Sequence, residues 1–205
     1  MITSLEALRI RLSAMQASRQ TDGRWTLDAE LSARTSDAAL LETLLLGLPM
    51  AQEIRPRIVR QRGKPTLLTV KLRYRMGLRL AEGDIRTPLE SETLRKAQQI
   101  ADARPDGDAS AAYDHVYAWL CRNVRYAHTA PGQKGYDRLV CAAGALLDGQ
   151  ANCQGFADAL YLLCRLCGIE CEYRVGRGER RWHVWNAVRL DGHWQDADAS
   201  RGARN

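Results

Sequence analysis

The alternation of apolar and polar residues is clearest in "TLLTVKLRYRMGLRL" (66–80), where Leu68, Val70, Leu72 and Tyr74 stand against Thr69, Lys71, Arg73 and Arg75. A two-residue period of this kind marks a half-buried strand. Turn residues bracket it, "GKP" before and "EGD" after. The same period returns in "IECEYRV", with Ile169, Cys171, Tyr173 and Val175 on one face and Glu170, Glu172 and Arg174 on the other. Two further strands close the chain about Asp191-Gly192, in "WHVWNAVRL-DG-HWQDAD". Asp-Gly between alternating segments is the strongest short-range hairpin signal.

Elsewhere the period is helical. "DAALLETLLLGLP" predicts a helix with Asp37 as its N-cap and Pro49 near its end. "SETLRKAQQIADAR" predicts a second, broken by "PDGD". In "SAAYDHVYAWLCRNV", Ala112, Val116, Trp119, Leu120 and Asn123 share one helical face. "APGQKG" is a loop, and "YDRLVCAAGALLDG" reads as one short helix ending near Gly149. After Cys153, an apolar stripe of Phe156, Leu160, Leu163, Cys164 and Cys167 predicts a helix that Gly168 ends. The first segment (Leu5, Leu8, Ile10, Leu12, Met15), leading into "RWTLDAELSAR", suits a helix or a strand. Helices followed by at least three strands make an α+β fold with segregated elements. The expected organisation is a mixed front portion, 1–90, packing on a core, 91–205.

Composition narrows the function classes. A chain of 205 residues is long enough to bury a substantial core. The net charge of +6 comes mainly from arginine, densest in "RPRIVRQRGK" (55–64) and "RGERR" (177–181). No nucleic-acid motif accompanies these clusters and aromatic residues are few, so a solvated surface is expected, with no nucleic-acid partner. No apolar run reaches transmembrane length, which argues against a membrane partner. Glu6, Arg9 and Arg11 interrupt the apolar residues of the N-terminus, unlike the core of a signal peptide, so the cytoplasm is the default location. Six cysteines do not make a disulfide scaffold in a chain of this length. Cys164-x-x-Cys167 lies within a helical pattern, with no second pair and no histidine at zinc-finger spacing, so burial is expected and no metal or cofactor.

Cys153 stands apart from the other thiols, among Gly149, Gln150, Asn152 and Gly155 at a helix start. Backbone N–H groups and the helix dipole there favour a thiolate, and the same amides can donate to an oxyanion. Gly155 is expected to let a substrate approach the backbone, and Gln150 is a candidate oxyanion donor. A thiolate nucleophile needs a base, usually an imidazole held by a third group. His183 begins a strand directly after the Arg-rich loop. With a two-residue Asp191-Gly192 turn, Leu190 pairs with His193, Ala187 faces Asp196 and Trp185 faces Asp198. His183 is then diagonal to Asp198, at roughly 7–8 Å between backbones. Asp196 shares that face on the order of 13 Å away. The register therefore selects Asp198. Trp185 is expected to wall the site, Asn186 to face away from it, and Arg177, Arg180 and Arg181 to form a rim favouring acidic substrates.

These residues together resemble the transglutaminase-like superfamily, papain-like in fold. The resemblance rests on Cys153-Gln-Gly155-Phe156-Ala157, Gly168-Ile169, Val175-Gly176, His183-Val-Trp185-Asn186, Asp191-Gly192-His-Trp194 and Asp198, over about residues 90 to 200. "WLCRNVRY" (119–126) also resembles the helix that precedes this core in bacterial members. The resemblance implies a helix bearing the cysteine packed on an antiparallel sheet bearing the histidine and aspartate. It further implies Cys153 as nucleophile, His183 as general base and acid, and Asp198 as the group orienting the imidazole. The expected function is a thiol-dependent acyl-transfer enzyme that hydrolyses peptide or side-chain amide bonds of a peptide or protein substrate. The alternatives are a transglutaminase-type cross-linker and a catalytically silent peptide-binding module of the same fold.

Overall fold

Where the front of the chain carries its alternating pattern, the computed structural model folds it into a three-stranded antiparallel sheet backed by helices. The structure describes residues 1–61, 64–75, 87–128, 130, 132–177 and 182–203. They form two compact units, Met1–Tyr74 and Arg75–Asn205.

The first unit runs α1 (Leu5–Ala17), β1 (Asp22–Leu27), α2 (Ala29–Arg34), α3 (Asp37–Gly47), β2 (Ala51–Val59) and β3 (Thr66–Tyr74). The ambiguous first segment is a helix because Ser4 caps it, its side chain accepting from the Ala7 amide, and Leu8, Leu12 and Met15 share the buried face. In α3 the cap is Ser36 rather than Asp37. Asp37 instead accepts from Arg60 Nε at 2.7 Å, while the same guanidinium donates to the Ser32 and Thr35 carbonyls. The sheet order is β1-β3-β2. Leu68, Val70, Leu72 and Tyr74 of the central strand are all buried, as their period predicts. β2 escapes the sequence pattern because it carries Pro56 and three charged residues, and its place at the sheet edge tolerates both.

The second unit comprises α4 (Pro88–Asp102), α5 (Ala109–Asn123), β4 (Arg125–Tyr126), α6 (Tyr136–Leu139), α7 (Ala142–Asp148), β5 (Gln150–Ala151), α8 (Cys153–Leu166), β6 (Cys171–Arg177), β7 (Trp182–Leu190) and β8 (His193–Ala197). Thr87 and Glu90 form a reciprocal capping box at the start of α4, with Pro88 in its first turn. The single helix expected over 136–148 is two, broken where Cys141 is extended (φ −134°, ψ 163°). The orphan amide of Ala142 at the start of α7 finds its acceptor on another helix, the Asp158 carboxylate of α8, at 2.8 Å.

Helix α8 is the axis of this unit. Leu160, Leu162, Leu163 and Cys164 are completely buried in a core shared with α4, α5, α7 and β7. Truncating any one of these leucines to alanine would cost about 2–5 kcal/mol. Strands β6, β7 and β8 form an antiparallel sheet in that order. The expected hairpin register holds from Leu190 opposite His193 through Ala187 opposite Asp196 to Asn186 opposite Ala197, where β8 ends one residue before the expected Trp185–Asp198 pair. Both turn residues have positive φ, 50° at Asp191 and 79° at Gly192, which the Asp-Gly pair accommodates. This is an α+β papain-like core, with the cysteine helix packed on an antiparallel sheet. Among the described residues no helix is long and apolar enough to cross a membrane.

Candidate active site

Three elements converge on one sulfur. Asn152 caps α8, its Oδ1 accepting from the Gln154 and Gly155 amides at 3.0 and 3.2 Å. The amide of Cys153 itself, at the first helical position, is not among those that Asn152 caps. From the sheet, the His183 ring and the Val184 N–H approach Cys153 and favour its thiolate. From β4 comes Tyr126, whose hydroxyl favours the thiolate to a smaller extent. A short parallel pairing sets this up: Tyr126 lies opposite Ala151, two residues before Cys153.

The electrostatics follow from that geometry. Burial is the largest single influence on the Cys153 thiol and opposes ionisation, yet the donors His183, Val184 and Tyr126 together bring the thiol below its ordinary value. His183 is pushed up to about 9, first by its hydrogen bond to Asp198 and then by that to Cys153. The arrangement therefore favours a thiolate beside an imidazolium.

Asp198 meets the ring at 2.7 Å, Oδ2 to Nε2, which leaves Nδ1 as the nitrogen facing the sulfur. Its carboxylate is held on every side. Oδ1 accepts from the Ser200 hydroxyl at 2.6 Å and the Ser200 amide at 3.1 Å, and Arg201 Nε approaches Oδ2 at 3.0 Å. Burial raises the Asp198 carboxyl, but His183, Ser200 and Arg201 outweigh it and leave the group below its ordinary value. Helix α5 fixes the backbone beneath: the Tyr117 hydroxyl donates to the Asp198 carbonyl at 3.1 Å, and Cys121 Sγ lies 3.8 Å from the Ala199 carbonyl oxygen.

The other residues singled out in the sequence separate clearly. Trp185 stacks on His183, ring centroids 5.7 Å apart, and its Nε1 donates to Asp196 Oδ1 at 3.0 Å. Asp196 thus anchors the indole and not the imidazole. Asn186 is completely buried on the other face of β7. Gln150 lies exposed on β5, and its side chain makes no hydrogen bond among the described residues. Gly155 requires a correction. A Cβ there would lie 2.3 Å from the Leu139 carbonyl oxygen and 2.9 Å from Ala151 Cβ, so the glycine admits neighbouring backbone, not substrate. Arg177 is exposed at the end of β6, whereas Arg180 and Arg181 lie outside the described residues.

The remaining thiols sit in the opposite environment. All six cysteines are free. Cys164 is driven well above its ordinary value by its hydrogen bond with Cys171 and by burial. Burial likewise raises Cys121, Cys141 and Cys167. His115 is tied to the Ile100 carbonyl at 3.0 Å, and His193 is exposed. Among the described residues no group of three or more histidine, cysteine or acidic side chains could hold a metal ion.

Sequence reasoning missed Tyr126 and Asp158. Tyr126 stands at the end of "WLCRNVRY" and stacks on Phe156, centroids 6.3 Å apart. Asp158 is completely buried and accepts from the Tyr173 hydroxyl at 2.7 Å as well as from Ala142. Asp158 shares its helix face with Gln154, Tyr161 and Arg165, opposite the apolar stripe, so the helical period gives no sign of its burial.

Comparison with known proteins places this geometry in context. The family model described as the transglutaminase-like superfamily matches residues 95–199. Human Kyphoscoliosis peptidase is 31% identical over 101 residues, which are 43% of this chain and 15% of that protein. The mouse protein of the same name is 30% identical over 101 residues, with the same coverage. The chain thus spans about 15% of the length of the curated relatives it matches. Among solved structures, a proposed cysteine protease from Cytophaga hutchinsonii is 15% identical with a TM-score of 0.43, over 74% of this chain and 63% of that one. The periplasmic domain of TgpA from Pseudomonas aeruginosa is 16% identical with a TM-score of 0.42, over 68% of this chain and 55% of that one.

Proposed function

Because the chain belongs to the transglutaminase-like superfamily, whose fold serves thiol-dependent acyl transfer, we propose that it hydrolyses amide bonds of a peptide or protein substrate through Cys153, His183 and Asp198. The observation that carries the reading is the 2.7 Å contact between His183 Nε2 and Asp198 Oδ2, with the ring's other nitrogen turned to Cys153.

In the first half-reaction the Cys153 thiolate attacks the amide carbonyl carbon. Negative charge gathers on the carbonyl oxygen, to which the Cys153 amide at the start of α8 can donate. The C–N bond then breaks as His183 gives its proton to the leaving amine, and a thioester remains. In the second half-reaction His183 takes a proton from water, the hydroxide attacks the thioester, and the carboxylic acid leaves as the sulfur departs. Asp198 keeps the ring oriented throughout, and Ser200 keeps Asp198 in place. Hydrolysis is preferred to amine transfer because the human and mouse relatives are named peptidases.

A peptidyl vinyl sulfone tests the proposal. Peptide mapping should find one covalent adduct, on Cys153, and none in the His183→Ala variant. An adduct centred on another cysteine, or equal labelling of the variant, would overturn it. With a thioester-forming substrate, added primary amine should leave the acid as the main product; a dominant amide product would convert the reading to cross-linking.

A further inference from the structure

The solvent side of the β1-β3-β2 sheet carries the other concentration of chemistry. Its outward positions are Asp22, Arg24 and Thr26 on β1, Leu67, Thr69, Lys71 and Arg73 on β3, and Glu53, Arg55, Arg57 and Val59 on β2. Register aligns them in rows. Arg24 and Arg57 flank Thr69, Asp22 and Arg55 flank Lys71, and Glu53 faces Arg73. Five cations thus share one face with two acids, and all five are exposed.

Glu53 is already engaged, 2.6 Å from Arg55 and 3.4 Å from Arg73. Asp22 accepts from the Thr21 hydroxyl at 3.0 Å. Arg24, Arg57 and Lys71 therefore remain without an acidic partner among the described residues. Strand spacing puts their backbones roughly 8–10 Å apart around the Thr69 hydroxyl. The charge balance of the chain is concentrated here too. The first unit holds twelve basic and seven acidic residues, the second eighteen and seventeen, so nearly all of the +6 belongs to the first.

We propose that this sheet face is a docking surface for an extended, acidic segment of the protein substrate, an inference that rests on the amide-hydrolase reading above. Alternate side chains of an extended peptide recur about every 7 Å, the same interval that separates the Arg24–Thr69–Arg57 row from the row through Lys71. Carboxylates at every second position would therefore meet successive rows. The next row, Thr26, Leu67 and Val59, offers a less polar strip for an uncharged residue. A nucleic acid fits less well, because base stacking needs aromatic rings and this face has none: Trp25 and Tyr74 fall on the inward positions.

The experiment uses the full chain carrying Cys153→Ser, so that nothing is turned over, and follows the anisotropy of a fluorescein-labelled oligoglutamate. Replacing Arg24, Arg57 and Lys71 together by serine should weaken binding by at least about ten-fold, and added salt should weaken it further. Equal affinity of the triple variant overturns the docking surface. So does tighter binding of an oligothymidylate of matched charge, which would make the face a nucleic-acid surface. Vinyl sulfone labelling of Cys153, measured in parallel with that residue intact, separates the two readings. Normal labelling with failed peptide binding removes the docking surface alone; absent labelling with binding that needs the three cations removes the catalytic reading alone.

Discussion

Each unit of this chain contains a three-stranded antiparallel sheet, and the two sheets use their polar side chains in opposite ways. In the first unit the polar face is open and its charges meet water. A pair such as Glu53 with Arg73 is partly exposed, and pairs of that kind contribute about 0–1 kcal/mol. In the second, the polar residues of β7 and the turn after β8 are drawn under cover. His183 is held between Asp198 and Cys153, and its 2.7 Å contact with Asp198 is the largest of the influences that raise it. The strand orders differ, β1-β3-β2 against β6-β7-β8, but what decides the fate of the polar side chains is enclosure. Enclosure makes each hydrogen bond count, and it makes each missing partner costly.

The sharpest way to break this contrast is to exchange the two aspartates of the second sheet. Asp198→Asn should lower turnover by about 10³- to 10⁴-fold with the fold intact, because the amide cannot hold the imidazolium. Asp196→Asn removes only the charge and keeps an oxygen that can accept from Trp185, so its loss should stay below about ten-fold, near the cost of one exposed hydrogen bond. Steady-state kinetics on folded variants checks both, and an equal loss in the two would dissolve the distinction. Tyr126→Phe comes next. Losing one donor to the sulfur should cost about five- to thirty-fold in kcat, the equivalent of about 1–2 kcal/mol. A variant indistinguishable from wild type would leave Tyr126 a packing residue on Phe156.

Stability separates the units as well. Gly155→Ala forces a methyl against the Leu139 carbonyl oxygen, and urea unfolding should register a loss of about 1–3 kcal/mol. An unchanged midpoint would mean that α8 can move away from that backbone freely. Arg57→Ser, on the open sheet, should change stability by no more than about 0.5 kcal/mol in either direction. A larger loss would give Arg57 a structural role beyond surface charge.

Much of the second unit was legible because its signals are local. The Asp191-Gly192 turn fixes the pairing of β7 with β8, and that pairing alone chooses Asp198 over Asp196. Cys153 was legible from Asn152 and the apolar stripe that follows. The residues that escaped depend on partners distant in sequence. Tyr126 reaches the sulfur through a two-residue parallel pairing that leaves no periodic trace. Asp158 is polar in sequence and buried in space because it caps α7 and meets Tyr173. Gly155 looked like an opening for substrate until the Leu139 carbonyl filled its place. β2 was hidden by its own charges, which an edge strand can present to solvent.

The central claim is that Cys153 is an enclosed thiolate made by His183, and the pH dependence of its alkylation by iodoacetamide tests it most directly. His183, raised to about 9, contributes stability fully below its ordinary value of 6.5 and loses it as pH rises through about 9. Asp198 acts at the other end, its contribution present above the ordinary value of 3.8 and lost as pH falls through its lowered one. Between these limits Cys153 should label ahead of the other five cysteines, with a midpoint below the ordinary thiol value of 9.0. In His183→Ala burial persists while the main donor is gone, so the midpoint should move upward. A wild-type midpoint at or above 9.0, or one that the His183→Ala change leaves in place, would contradict the account.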